Sequence, residues 1–389
     1  MPRHPAIAPA AAAIGGSPYG ALAQRAQAAA EVFPLHVGDT WLEPAVGARM
    51  EDLKVAEHPG MHRYAPVEGL PELREALAGE ARRRSGVATA TDEILITAGA
   101  TGALGAVMGA ILGPGEEVLI LAPYWPLIAG IVRQFHGTPV PVPIFGDAAE
   151  RSIEAMIAAL DARLTPRSVA LYVNTPNNPT GAVLPRAAVE ALAEWARRHD
   201  LWLLGDEVYE DYVYRGEHVY CRSLAPERTF AAHSFSKAYG MAGNRCGHVI
   251  GPRGAIAQAR KIAAHTFYST PTAAQLAALE VLGARGERWI ADAKARYQAV
   301  GDAAAARLGV APPGGSTFLF LDVADHLDAD GLGGLLGRCA ERGLLIAPGP
   351  SFGPYETHVR LCFTAAPPEV VLRGVDVLAE LLGRPSAAS

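Results

Sequence analysis

From residue 93 onward the chain alternates between two hydrophobic patterns. Short apolar runs stand at 93–97 (Glu-Ile-Leu-Ile-Thr), 117–121 (Glu-Val-Leu-Ile-Leu), 169–173 (Val-Ala-Leu-Tyr-Val) and 202–205 (Trp-Leu-Leu-Gly). None alternates apolar with polar positions, which is the pattern of strands buried on both faces. Stretches with helical character lie among them, at 102–112 and 186–199. This succession predicts an α/β protein with an open, mostly parallel sheet flanked by helices and joined by right-handed crossovers. Helical pattern continues over 252–264 and 273–282, and a long charged-and-apolar helix over 287–308 leaves the large domain. Strands at 318–322, 344–347 and 359–362, separated by helices, make a smaller second α/β layer. Ahead of residue 93 the pattern is weaker. Residues 1–16 read as a loose arm, 21–32 as a short helix, and 35–39 (Leu-His-Val-Gly-Asp) as a short strand ending in a turn. A helix runs from Gly69-Leu70-Pro71-Glu72 to residue 83, with proline in its first turn.

Length changes the picture first. A chain of 389 residues exceeds one ordinary core, so two domains are expected. With 50% hydrophobic and 19% charged residues it is globular rather than disordered. A net charge of −6 argues against a nucleic-acid partner, whose phosphates need a basic surface. No apolar run is long enough to span a bilayer. Cys221, Cys246, Cys339 and Cys362 form no metal-type or redox-type pair, so no metal is expected and the reducing cytoplasm is the expected compartment. The start could pass for a weak secretion signal, but it is alanine-rich rather than leucine-rich and Pro9 interrupts it.

The candidate chemistry gathers around Ser234-Phe235-Ser236-Lys237, with Arg245 closing the loop that follows. A lysine amine can form a Schiff base with an aldehyde. Hydroxyls and an arginine fork suit a phosphate monoester. Together they describe pyridoxal 5′-phosphate; the alternative is a surface lysine in a polar loop. The residues around Ala100 and Thr101 are small, and their backbone amides at a helix start could meet a phosphate or merely aid packing. Trp125 and Tyr124 follow the second apolar run, where an aromatic could stack on a planar ring or sit in a core. Asn178 lies in Asn174-Thr-Pro-Asn-Asn-Pro-Thr-Gly181, a loop stiffened by two prolines, and could serve a ring oxygen. Asp206 directly follows a buried apolar run and needs a partner there; a protonated pyridine nitrogen is one, a helix cap is another. Tyr209, three residues on, could reach the ring's phenolic oxygen. All these loops fall at the carboxyl ends of strands, where open α/β sheets place ligands.

The motifs Asn178-Pro-Thr-Gly181, Asp206-Glu-Val-Tyr209 and Ser234-Phe-Ser-Lys237 occur in an order that resembles the class I/II aminotransferases of the aspartate aminotransferase type, the fold type I pyridoxal-phosphate enzymes. The resemblance runs from about Leu35 to the C-terminal helix. It implies residues 1–45 as an arm plus part of the small domain, 46–290 as the large cofactor-binding domain and 291–389 as the small C-terminal domain. It implies Lys237 as the Schiff-base lysine, Asp206 on the pyridine nitrogen, Asn178 and Tyr209 on the ring oxygen, and Trp125 stacked on the ring. Ala100, Thr101, Ser234 and Arg245 would hold the phosphate, with Tyr64 reaching the phosphate of a second subunit in a homodimer with shared sites. Gly38 and Arg360 would meet the substrate, the arginine gripping its α-carboxylate. The expected activity moves an amino group from an L-amino acid to a 2-oxo acid by a ping-pong mechanism. Where many relatives have Gly-Glu-Pro-Asp-Phe, this chain has Gly38-Asp39-Thr40-Trp41-Leu42, which alters a substrate wall. Some bacterial aspartate enzymes carry lysine at the position of Thr101; its absence weighs against a dicarboxylate substrate.

Three rival readings remain beside it. A lyase catalysing β- or γ-elimination could use the same scaffold. A cofactor-binding regulator of transcription would carry a DNA-binding segment ahead of this fold, and some thirty residues are too few for one. A nucleotide-binding α/β protein would show Gly-x-Gly-x-x-Gly after its first strand, and Ala98-Gly-Ala-Thr-Gly102 is not that motif.

Overall fold

The structure, a computed structural model, describes residues 5–16, 20–144 and 152–384. Residues 1–4 of the expected arm and 385–389 of the expected small domain lie outside these. The apolar runs form the centre of a seven-stranded sheet. Its strands are β2 (Ile94–Thr97), β3 (Glu117–Ala122), β4 (Thr138–Pro143), β5 (Ser168–Asn174), β6 (Trp202–Asp206), β7 (Thr229–Ser234) and β8 (Gly247–Ile250); β1 (Phe33–Pro34) lies outside it. The order across the sheet is β2-β8-β7-β6-β5-β3-β4, and β8 runs against both neighbours. Every residue of β2 and β3 is buried, as continuous apolar strands covered on both faces must be. One face is covered by the helices Gly99–Ile111 and Arg253–Thr266, the other by Arg186–Arg198, which buries Val189, Leu192, Ala193 and Ala196 at helical spacing.

A second core joins Phe33 and Leu35 to residues of the helix Ala284–Arg307 and of the chain beyond it. Its three-stranded sheet has the order β11-β12-β9, from β9 (Phe318–Asp322), β11 (Ala347–Pro348) and β12 (His358–Cys362). The helix Ala284–Arg307 serves both bodies: Ile290 packs with the large sheet's cluster, Ala293 and Tyr297 with the second core.

Two expectations are corrected here. The strand expected at 35–39 lies earlier, at β1, because the chain turns back at once: the Leu35 amide bonds to the Phe33 carbonyl and Asp39 to Val37. The single strand expected at 344–347 is two. β10 (Leu344–Leu345) pairs in parallel with β1, whereas β11 pairs against β12.

Candidate active site

The carboxyl ends of the central strands lie level. Asn174 at the end of β5 pairs with Asp206 at the end of β6, which pairs with Ala232 two residues before the end of β7. Above them opens a cavity of about 770 Å³. Gly38, Ala100, Thr101, Trp125, Asn178, Asp206, Tyr209, Ser234, Lys237, Arg245 and Arg360 all line it. Sequence reading scattered these over more than three hundred positions; the strand register brings them to one edge.

Lys237 sits in a one-turn helix (Phe235–Ala238) that continues β7, capped by Ser234 Oγ, which accepts the Ser236 amide at 3.1 Å. Its Nζ donates to the Gly38 carbonyl, with Asp39 Oδ1 at 3.9 Å. Burial lowers the pKa of this amine, while Asp39 pulls the other way. Gly38 has no room for a side chain, since a Cβ there would lie 2.7 Å from Phe318 Cζ.

Asp206 is 5% exposed. The Tyr172 hydroxyl donates to its Oδ2 at 2.5 Å, the Val208 amide reaches Oδ1 at 3.4 Å, and the Asn174 amide group donates to its carbonyl at 2.9 Å. Burial pushes the carboxyl up to about 6, against the pull of the Tyr172 hydrogen bond. Tyr209 is buried with its ring edge-on to Phe318 at 5.7 Å, and burial raises its phenol. A phenol so raised remains a donor at neutral pH.

The helix Gly99–Ile111 starts three residues earlier than expected and places Ala100 and Thr101 in its first turn, where amides point outward. Beside this turn lies Arg245, held at φ 54° by its loop. Its guanidinium donates to the Ala242 carbonyl at 2.8 Å and to the Ala98 carbonyl at 3.3 Å. Gly99 makes the approach possible, because a Cβ there would lie 2.6 Å from Arg245 Nη2. Ser234, Arg245 and the helix start form a compact anion cradle.

Arg360, in β12, crosses from the second body into the cavity. Its Nη1 donates to Asn178 Oδ1 at 3.0 Å and its Nη2 to the His36 carbonyl at 2.5 Å. The guanidinium lies over the Phe318 and Phe352 rings, at 4.3 and 4.7 Å from their centroids. Asn178 is itself fixed, its amide donating to Asn174 Oδ1 at 2.7 Å. Trp125 stands immediately before the helix Pro126–Gln134 and lines the same space.

Tyr64 departs from the group. It is 85% exposed, lies edge-on to Tyr268 at 5.0 Å, and does not line the cavity. Sequence reading missed Tyr172, Asn174 as a brace, the carbonyl of His36, and Ile14, Gly15 and Gly16 of the arm, which line the mouth. A tyrosine inside an otherwise aliphatic strand was the one available signal for Tyr172.

Behind the sheet, Glu207, Glu210 and His218 offer ligand-type atoms within 4.8 Å of one another. Positive charge is already supplied there: His233 Nδ1 lies 2.9 Å from Glu210 Oε1 and Arg84 Nη1 lies 3.5 Å from Oε2.

The comparisons with known proteins agree with this geometry. Residues 31–378 match the family model "Aminotransferase class I and II". The aspartate/prephenate aminotransferase of Thermus thermophilus is 35% identical over 336 residues, covering 84% of each chain. The arginine–pyruvate transaminase of Pseudomonas aeruginosa is 35% identical over 382 residues, covering 94% of each. Among solved structures, the Thermus thermophilus aspartate aminotransferase with maleate superimposes with a TM-score of 0.88 at 31% identity, over 97% of this chain and 100% of that one. The chain therefore belongs to the class I and II aminotransferases, a family that is generally dependent on pyridoxal phosphate, and its fold is that of the fold type I enzymes. It is an aminotransferase, acting on small amino and oxo acids. Among the described residues no helix is long and apolar enough to cross a membrane.

The residues fit pyridoxal phosphate as a group. A partly buried amine of lowered pKa suits its aldehyde, a buried acid its ring nitrogen, and the Gly99 cradle with Arg245 and Ser234 its phosphate.

Proposed function

We propose that this aminotransferase carries pyridoxal 5′-phosphate covalently on Lys237 and works by a ping-pong cycle. An L-amino acid yields its 2-oxo acid in the first half, and a second oxo acid takes up the amino group in the other. The observation that carries this reading is the meeting of a partly buried lysine and a buried aspartate in one cavity with Arg360. Bound pyridoxal phosphate supplies an aldehyde that takes the amino group and a cationic ring that draws off the electron pair left at Cα.

The chain's own residues do the rest. Arg360 receives the substrate α-carboxylate in its planar fork, with Phe318 and Phe352 holding the plane. That grip would set Cα before Lys237, whose amine would lift the Cα proton and pass it to the carbon that carried the cofactor's aldehyde. Asp206 would hold the proton on the ring nitrogen. Tyr209 and the Asn178 side-chain amide would donate to the ring oxygen, and Trp125 would cover the ring face. Ala100, Thr101, Ser234 and Arg245 would bind the phosphate at the helix start. Gly38 lies at the substrate wall, its carbonyl receiving the Lys237 amine.

We further propose a homodimer in which the partner subunit's Tyr64 completes the phosphate site. The exposure of Tyr64 and its distance from its own chain's cavity lining support this. The separate clusters on either side of Ile290 support domains of 46–290 and 291–389, with residues 1–45 divided between arm and small domain. Four unpaired, buried cysteines favour a cytoplasmic location.

The test is a survey of amino acids against the pyridoxal form without any acceptor. One equivalent of oxo acid per subunit, with no free ammonia, supports transamination. Continuous release of pyruvate and ammonia would instead make the protein a lyase.

A further inference from the structure

β5 places Tyr172 two residues before Asn174, so both side chains leave the same face of the strand. Asn174 braces the Asp206 backbone; Tyr172 reaches the Asp206 carboxylate itself, at 2.5 Å from Oδ2. Tyr172 is fully buried, so its hydroxyl is shut off from bulk solvent. The other hydrogen bond to the carboxylate is the longer one from the Val208 amide to Oδ1. Charged and titratable groups facing Asp206 are Tyr172 from β5, Glu207 and Tyr209 after β6, and His233 from β7. Of these, only Tyr172 makes a hydrogen bond to it.

We propose that Tyr172 is a positioning residue: its hydroxyl fixes Oδ2 of Asp206 in the charged form and leaves Oδ1 to face the ring nitrogen of the cofactor. The inference rests on the reading of Asp206 given above. A buried carboxylate is expensive without a partner and drifts toward its neutral acid. A neutral acid cannot hold the ring nitrogen protonated. The phenol is itself pushed well above its ordinary range, by burial first and then by Asp206, so it stays a donor throughout. Tyr172 thus supplies the charged acid with a donor before any cofactor arrives.

A double-mutant cycle tests this, using Tyr172→Phe, Asp206→Asn and the pair, with the affinity of the apo protein for pyridoxal phosphate measured across pH. In the native background the affinity weakens in acid as Asp206 is protonated. Tyr172→Phe moves the midpoint of that loss upward by about one to two pH units, the share of a hydrogen bond to a charged group. In the Asp206→Asn background it changes nothing. An unmoved midpoint, or an equal loss in both backgrounds, overturns the proposal and makes Tyr172 a packing residue. A native protein that binds no pyridoxal phosphate overturns the cofactor reading instead. Urea unfolding of the apo protein gives a check independent of the cofactor. Tyr172→Phe should lower the midpoint more at about pH 8, where Asp206 is ionised, than at about pH 4.5. Equal losses at both pH values also overturn the proposal.

Discussion

Arg360→Lys is the substitution whose cost can be worked most directly. Arg360 is 5% exposed, and its guanidinium lies over two phenyl rings and is bonded to Asn178 and the His36 carbonyl. Lysine keeps the charge but offers a point donor in place of a fork. A substrate carboxylate then loses one of two charge-assisted hydrogen bonds, worth about 1.5–3 kcal/mol. At 1.36 kcal/mol per tenfold, kcat/KM falls by about 10- to 150-fold. Every α-amino acid brings the same carboxylate, so the loss should be uniform across side chains. Single-turnover rates of the pyridoxal form with alanine, aspartate and phenylalanine measure it, with urea unfolding to separate a loss of fold. A fall below about threefold would refute the assignment. So would a loss confined to aspartate, which would place Arg360 against the side chain.

Gly38→Ala puts a methyl 2.7 Å from Phe318 Cζ, and the displaced ring must disturb Arg360; destabilisation of about 1–3 kcal/mol and a raised KM are expected, read by urea unfolding and initial rates. The His233–Glu210 pair sets a pH dependence. Although burial opposes it, Glu210 raises the His233 pKa above its ordinary 6.5. Its stabilisation is therefore whole below about pH 6.5 and lost as pH rises through the raised value, so Tm should decline on the alkaline side and His233→Gln should flatten that decline. Tyr64→Phe should weaken cofactor binding in its own homodimer. A hybrid of Tyr64→Phe and Lys237→Ala chains should regain native affinity at its lysine-bearing site; continued weakness there would place Tyr64 within its own chain.

Much of the fold was legible because its strands are extreme cases. β3 and β5 carry apolar runs without alternation, at 118–122 and 169–173, the pattern of a doubly covered strand. β4, Thr-Pro-Val-Pro-Val-Pro, was not legible, since three prolines read as a breaker. It survives as an edge strand: Thr138 and Ile144 donate toward β3, and the prolines between them fall at alternate positions where no inward donor is needed. β7 was hidden by its alanines and by His233, whose partner Glu210 is distant in pattern and adjacent in space. In the site, Lys237, Asp206 and Asn178 could be named because motif order fixed them. Tyr172 could not, because its meaning depends on two parallel strands lying in one register.

The central claim is that Lys237 carries the cofactor and the amino group passes through it. Load the full-length protein with pyridoxal phosphate, reduce it with borohydride, digest it, and map the labelled lysine by mass spectrometry. The account predicts one pyridoxyl group per chain, on Lys237, and none when an amino acid has first converted the cofactor to its amine form. A pyridoxyl group on any other lysine, or labelling that an amino acid leaves undiminished, would contradict it.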